Sequence, residues 1–137
     1  MAQAPVTFRG FTLLELVAVV AIVAILLSIA LPSYQSVMLR VHRSEAIVEL
    51  MNIAACQERI YAANGSFDTS RCINEGIDHY SFRIDPAGTV SSLAFTAWAV
   101  PSGKQVHDDC GSLALDQTGF RQASGNNAKV EQCWQIR

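Results

Sequence analysis

The sequence predicts an α+β fold, with one long N-terminal helix, its apolar half protruding, packed on an antiparallel β-sheet of about four strands. Three observations carry that expectation. Phe11 to Leu31 is an apolar run whose only charged residue is Glu15; Ser33 to Ala63 holds neither Gly nor Pro and is rich in Ala, Leu, Ile, Glu and Arg; and short alternating segments separated by turn residues fill Tyr80 to Gln122. A helix-forming half followed by a meander buries both apolar faces by stacking one on the other.

The apolar run comes first. As a helix, its roughly 21 positions extend about 31 Å, enough to cross the hydrocarbon core of a bilayer. A signal peptide carries a positive n-region, a shorter apolar core and a small-residue cleavage site after that core. Here Arg9 and Gly10 both precede the run. Cleavage after Gly10 therefore leaves the hydrophobic helix on the mature chain, with a new amine on Phe11. Glu15 follows four residues later on the same helical face. A carboxylate in such a run is costly unless paired, which marks it as functional, and the Phe11 amine of this or a neighbouring chain is its partner. Pro32 has no N–H and is expected to bend the helix or release a hydrogen bond.

Beyond Pro32, Ile47, Leu50, Ile53, Ala54 and Ile60 recur at helical spacing, interleaved with Arg40, Arg43, Glu45, Glu49, Asn52 and Arg59. One face is expected to pack on a globular head. Asn64-Gly65 tolerates the left-handed conformation and places the helix end near Ala63. Gly65 to His79 reads as a polar surface loop. Tyr80-Ser81-Phe82-Arg83-Ile84 is expected to form a first strand, Asp85-Pro86-Ala87-Gly88 a turn, and Ser92 to Val100 a second strand with Phe95 and Trp98 in the core. Leu113 to Asp116 gives a third strand, Gln117-Thr118-Gly119 its turn, and Phe120-Arg121-Gln122 the start of a fourth. The domains expected are a leader over 1–10, a membrane or filament-core helix over 11–35, and a head over 36–137.

Charge and chemistry exclude more than they select. Losing Arg9 moves the formal net charge from −2 to about −3, which argues against a generally basic nucleic-acid binder. His42, His79 and His107 are scattered, and no Ser, Cys, His and acid set has catalytic spacing, so neither an enzyme nor a cofactor is expected. Asp108-Asp109 beside His107 reads as a solvated pair rather than a metal site. Cys56, Cys72, Cys110 and Cys133 fall where the membrane topology places the chain outside the cytoplasm, and an even number in a small exported head points to disulfides. Three pairings can be drawn; Cys56 with Cys72 and Cys110 with Cys133 is the favoured one, tying the helix to its loop and closing a second loop of about 22 residues worth roughly 3 kcal/mol in the chain-entropy model. Trp134 is expected to cover the second bridge.

Arg9-Gly10-Phe11-Thr12-Leu13-Leu14-Glu15, with the apolar run and Pro32 in register, resembles the class III leader junction of type IV pilins. Gln57 to Phe67, ending Tyr61-Ala62-Ala63-Asn64-Gly65-Ser66-Phe67, is similar to the helix-ending phrase of the type IVa group. Cys110-Gly111-Ser112-Leu113-Ala114-Leu115 with Cys133-Trp134 resembles the disulfide-bounded C-terminal region of small PilE-like minor pilins. The resemblance implies cleavage between Gly10 and Phe11 by the prepilin peptidase, N-methylation of Phe11, and passage through the inner membrane and its pilus assembly platform. It further implies assembly with other pilins through the N-terminal helices, Glu15 meeting the amine of an adjacent subunit, and an extracellular pilus serving twitching motility, adhesion or DNA uptake. The function implied is a structural minor pilin needed for pilus assembly or initiation. Two alternatives share the N-terminus: a DNA-binding minor pilin acting in transformation, with Lys104, Arg121 and Lys129 as candidate phosphate contacts, and a type II secretion pseudopilin.

Overall fold

The computed structural model describes residues 10–73, 76–88, 92–126 and 129–135. Met1 to Arg9 of the expected leader lie outside the described residues, as does Asn127 of the loop before α2. The chain divides into two compact units, Met1–Val37 and Met38–Arg137.

Helix α1 spans Leu13–Asn64 and contains Pro32. Its start is chemically defined: the Glu15 N–H donates to Thr12 Oγ1 at 3.2 Å, which makes Thr12 the N-cap of a Thr-x-x-Glu capping pattern. Glu15 thus occupies the first turn, where the helix dipole favours an anion. The helix assignment is unbroken at Pro32, so the proline is absorbed as an internal residue rather than as a break. Lacking an N–H, it leaves the Ser28 carbonyl without its ladder donor. The helix stops where Gly65 takes φ 69° and its N–H bonds to the Tyr61 carbonyl at 2.7 Å, a left-handed cap open to glycine at little cost.

In the second unit, Ala46, Ile47, Leu50 and Ile53 of α1 are buried in one core with sheet residues. The sheet runs β1 (Tyr80–Pro86), β2 (Phe95–Pro101), β3 (Leu113–Asp116) and β4 (Arg121–Ala123), each antiparallel to the next in that order. Between β2 and β3 lies a 3-10 helix, η1 (Gly103–His107), and the described chain closes with α2 (Val130–Cys133). Tyr80 and Ile84 of β1, Phe95, Ala97 and Ala99 of β2, and Leu113 and Leu115 of β3 are buried against the helix.

Four expectations need correction. Asp85 and Pro86 belong to β1 rather than to a turn: Asp85 pairs with Thr96 and Pro86 with Phe95. β1 is an edge strand, where a proline's missing donor costs no ladder bond. Trp98 lies on the opposite sheet face from Phe95, Ala97 and Ala99, because side chains alternate along a strand. It pairs in register with Ala114 and Arg83, whose guanidinium lies 5.0 Å from the indole centre. The loop after α1 is not wholly superficial, since Phe67 is buried and meets Phe95 edge-on at 4.9 Å. Asp108 is not solvated; it is buried and ion-paired with Arg43.

Disulfides join Cys56 to Cys72 and Cys110 to Cys133, closing separations of 16 and 23 residues. The second anchors α2 beneath the sheet edge. There Gly125 runs so close to Asp109 that an added Cβ would stand 1.7 Å from its carbonyl oxygen, so the backbone approach requires glycine.

Candidate functional site

Two surfaces carry the residues singled out by sequence. On the first unit, Phe11 is 82% exposed at the foot of a helix whose best 18-residue window has mean hydropathy 2.9 and no buried residue. Leu13, Leu14, Leu16, Ile22, Ile25 and Ile29 are all exposed. By length and composition the helix can cross a membrane. Gly10 precedes the helix, exposed, with nothing near its α-carbon to obstruct a substituent. Gly10, Phe11 and Glu15 therefore lie within one turn of the helix start, and Pro32 near the far end of the apolar run.

The second surface is on the head. Arg121, on edge strand β4, places its guanidinium 5.3 Å from the ring centre of Trp134, which follows α2. The Trp134 indole N–H donates to the Gln122 carbonyl at 3.0 Å, so the buried ring is locked beneath the arginine. Lys129 is the N-cap residue of α2 and is exposed. Arg121 and Lys129 thus stand on two neighbouring elements, β4 and α2, and Cys110–Cys133 ties α2 to the chain just ahead of β3. Lys104 is not part of that pair. It is exposed on η1, next to Gln105, whose amide nitrogen bonds to the Leu39 carbonyl at 2.9 Å and to the Tyr80 hydroxyl at 3.0 Å.

Sequence reasoning missed the polar cluster under η1. Arg43 Nη1 donates to Asp108 Oδ1 at 2.6 Å and lies 3.0 Å from the Cys110 sulfur, and the Cys110 N–H donates to the same carboxylate oxygen at 3.2 Å. Gln105 Nε2 reaches Asp108 Oδ2 at 3.0 Å. Burial, with the Asp108 charge beside it, pushes the Tyr80 hydroxyl up to about 12. These groups tie α1, β1, η1 and the second disulfide together. Among the described residues no group of three or more His, Cys, Asp or Glu is placed to hold a metal ion.

Comparison with known proteins extends this picture. A family model described as "Type IV minor pilin ComP, DNA uptake sequence receptor" matches residues 32–114, and a prokaryotic N-terminal methylation motif matches residues 7–31. The chain is 37% identical over 93 residues to the fimbrial protein EcpB of Eikenella corrodens, a match covering 65% of this chain and 58% of that protein. It is 55% identical over 40 residues to the type IV major pilin PilE1 of Neisseria gonorrhoeae, covering 29% of this chain and 24% of that one. The chain therefore spans less than two thirds of the curated relatives it matches. Among solved structures, a type IV pilin from Shewanella oneidensis superposes with TM-score 0.56 at 32% identity, over 66% of this chain and 98% of that one. The non-core minor pilin PilV of Neisseria meningitidis gives 0.53 at 26% identity, over 68% and 93%. The exposed apolar helix with its methylation motif, the helix-on-meander head and these matches agree, and the chain belongs to the type IV minor pilin family of ComP.

Proposed function

We propose that this chain is a minor structural subunit of a type IV pilus, needed to assemble or initiate the filament. The observation that carries the reading is the unburied apolar run beginning at Phe11, within the methylation motif and ahead of a disulfide-closed head. An apolar helical run that buries none of its surface within its own chain needs lipid or other apolar helices around it. The sequence of events then follows from the residues. The prepilin peptidase cuts after Gly10 and Phe11 is N-methylated. The helix holds the subunit in the inner membrane as a single span with its head outside. On assembly it leaves lipid for a bundle of neighbouring pilin helices, where Glu15 pairs with the Phe11 amine of another subunit. That pairing removes the cost of an unmatched carboxylate among apolar neighbours and sets the axial register.

A second reading, that the head also receives DNA in natural transformation, is favoured by the description of the family model that covers 32–114. Arg121 and Lys129 are its phosphate contacts, with Lys104 on a separate element. Trp134 restricts the Arg121 guanidinium, so little side-chain freedom is lost on binding. Deleting the gene and scoring filaments, twitching and DNA uptake together separates the readings. Loss of filaments, restored by the wild-type chain, is the outcome expected of an assembly subunit. Intact, motile filaments with lost uptake assign the receptor role alone, and no change in any of the three contradicts both.

A further inference from the structure

The two disulfides sit in unlike surroundings, and the difference has a chemical consequence. Cys110 and Cys133 are only 6% and 2% exposed and belong to the core, with Asp108 accepting the Cys110 N–H. Cys56 and Cys72 are both half-buried. Cys72 also has φ 72°, and it is the one non-glycine among the described residues with positive φ. L side chains crowd the backbone in that region, so the closed bridge holds Cys72 in a conformation it would otherwise leave. The loop around it is secured by other means. The Gln57 amide donates to the carbonyls of Asp68 and Arg71 at 2.7 and 3.0 Å and accepts the Asp68 N–H at 3.1 Å, while Tyr61 stacks on Phe67 at 4.7 Å.

We propose that Cys56–Cys72 is a site of reversible thiol–disulfide exchange, opened by an external dithiol while Cys110–Cys133 stays closed. An incoming thiolate attacks one sulfur of the bridge, the S–S bond breaks, and its electron pair passes to the other sulfur, which takes up a proton. The second thiol of the reagent, deprotonated, then attacks the mixed disulfide and releases the remaining cysteine, protonated in its turn. Two electrons and two protons move in all; the dithiol leaves as a disulfide and the head retains two free thiols. Access and backbone strain both favour this bridge, and the Gln57 bonds keep the loop seated after it opens. What changes is the covalent tether between α1 and Cys72.

The test titrates the full chain in detergent micelles with dithiothreitol, traps thiols with N-ethylmaleimide and reads each cysteine by peptide mass spectrometry. Cys56 and Cys72 are expected to be alkylated together at least tenfold faster than Cys110 and Cys133. Equal rates, or prior labelling of Cys110 and Cys133, overturns the proposal. Two variant comparisons test its parts. Cys56→Ser with Cys72→Ser is expected to keep a cooperative unfolding transition and a closed Cys110–Cys133; an unfolded head shows that the first bridge is structural instead. In the Cys56→Ser background, where no bridge holds position 72, Cys72→Gly is expected to melt no higher than Cys72→Ala; a clearly higher melting temperature for Cys72→Gly shows that the loop keeps its left-handed turn without the bridge and removes the strain argument.

Discussion

The stretch from Phe11 to Val37 and the head beyond it use apolar side chains in opposite ways. From Phe11 to Val37 the large apolar residues are exposed, whereas Ile47, Leu50 and Ile53, on the same helix, are 0–1% exposed. Composition alone does not separate them, since both stretches are helical and rich in Leu, Ile and Val. Patterning does. The first is apolar on every side, the signature of a helix that belongs in lipid or among other helices, while the second alternates with Arg, Glu and Asn and buries a single stripe. On the proposed function, assembly chemistry is concentrated in the first region, while the core that stabilises the fold lies in the second.

The strongest way to break that division is Gly10→Leu, which is expected to leave the head folded and the chain unprocessed, read as an unchanged precursor mass and absence from sheared filaments. Processing of the variant at the normal rate removes Gly10 from the junction. Next in size come core changes in the head. Phe95→Ala is expected to cost about 3–5 kcal/mol, while Trp98→Ala, on the outer face, costs about 1 kcal/mol, including its cation–π contact with Arg83. Chemical denaturation of the two variants measures the contrast, and equal losses mean that the sheet faces are misassigned. Arg43→Ala leaves the Asp108 carboxylate buried without its cation and is expected to lose about 3 kcal/mol, with Arg43→Ala/Asp108→Asn recovering part of the loss.

A pH experiment is more selective. The Tyr80 hydroxyl titrates near 12 in the folded head, above the value of about 10 for an unfolded tyrosine. The folded state therefore keeps its proton where the unfolded state has lost it, and the associated stability is fully present below about pH 10 and lost as pH rises toward 12. The drop is on the order of 2 kcal/mol, and Tyr80→Phe is expected to flatten that limb; an unchanged alkaline limb in the variant locates the titration elsewhere. The smallest effect expected concerns DNA. Arg121→Ala and Lys129→Ala should each reduce the slope of log affinity against log salt by about 1, whereas an unaltered slope excludes the residue as a phosphate contact.

How much of this was legible depended on whether the deciding contact was local. The end of α1 could be read because Asn64-Gly65 supplies a left-handed stop, and β3 because Leu113 to Asp116 is followed at once by Gln117-Thr118-Gly119. The capping of α1 was also available, as Thr12 and Glu15 stand at capping-box spacing. The face of Trp98 was not legible. In Phe95-Thr96-Ala97-Trp98-Ala99-Val100 both alternating sets hold large apolar residues, and the choice was made by α1, which seats over Ala97 and Ala99 and leaves Trp98 to cover Ala114. Asp108 was misread for the same reason. Its cation, Arg43, lies 65 residues away in sequence and reaches it only because η1, a five-residue element with no periodic signal, docks on the helix. Gly10, Phe11 and Glu15 lie within one turn of the helix start, as their spacing in sequence requires, whereas Lys104, Arg121 and Lys129 were grouped by proximity in sequence and the fold places the first on a separate element from the other two.

The most direct measurement is mass spectrometry of sheared, purified filaments from the native host. The N-terminal peptide of this chain is predicted to begin at N-methylated Phe11 and to be present at low abundance relative to the major pilin. Recovery of the chain solely in the membrane fraction, with its mass unreduced, would contradict its role as a pilus subunit.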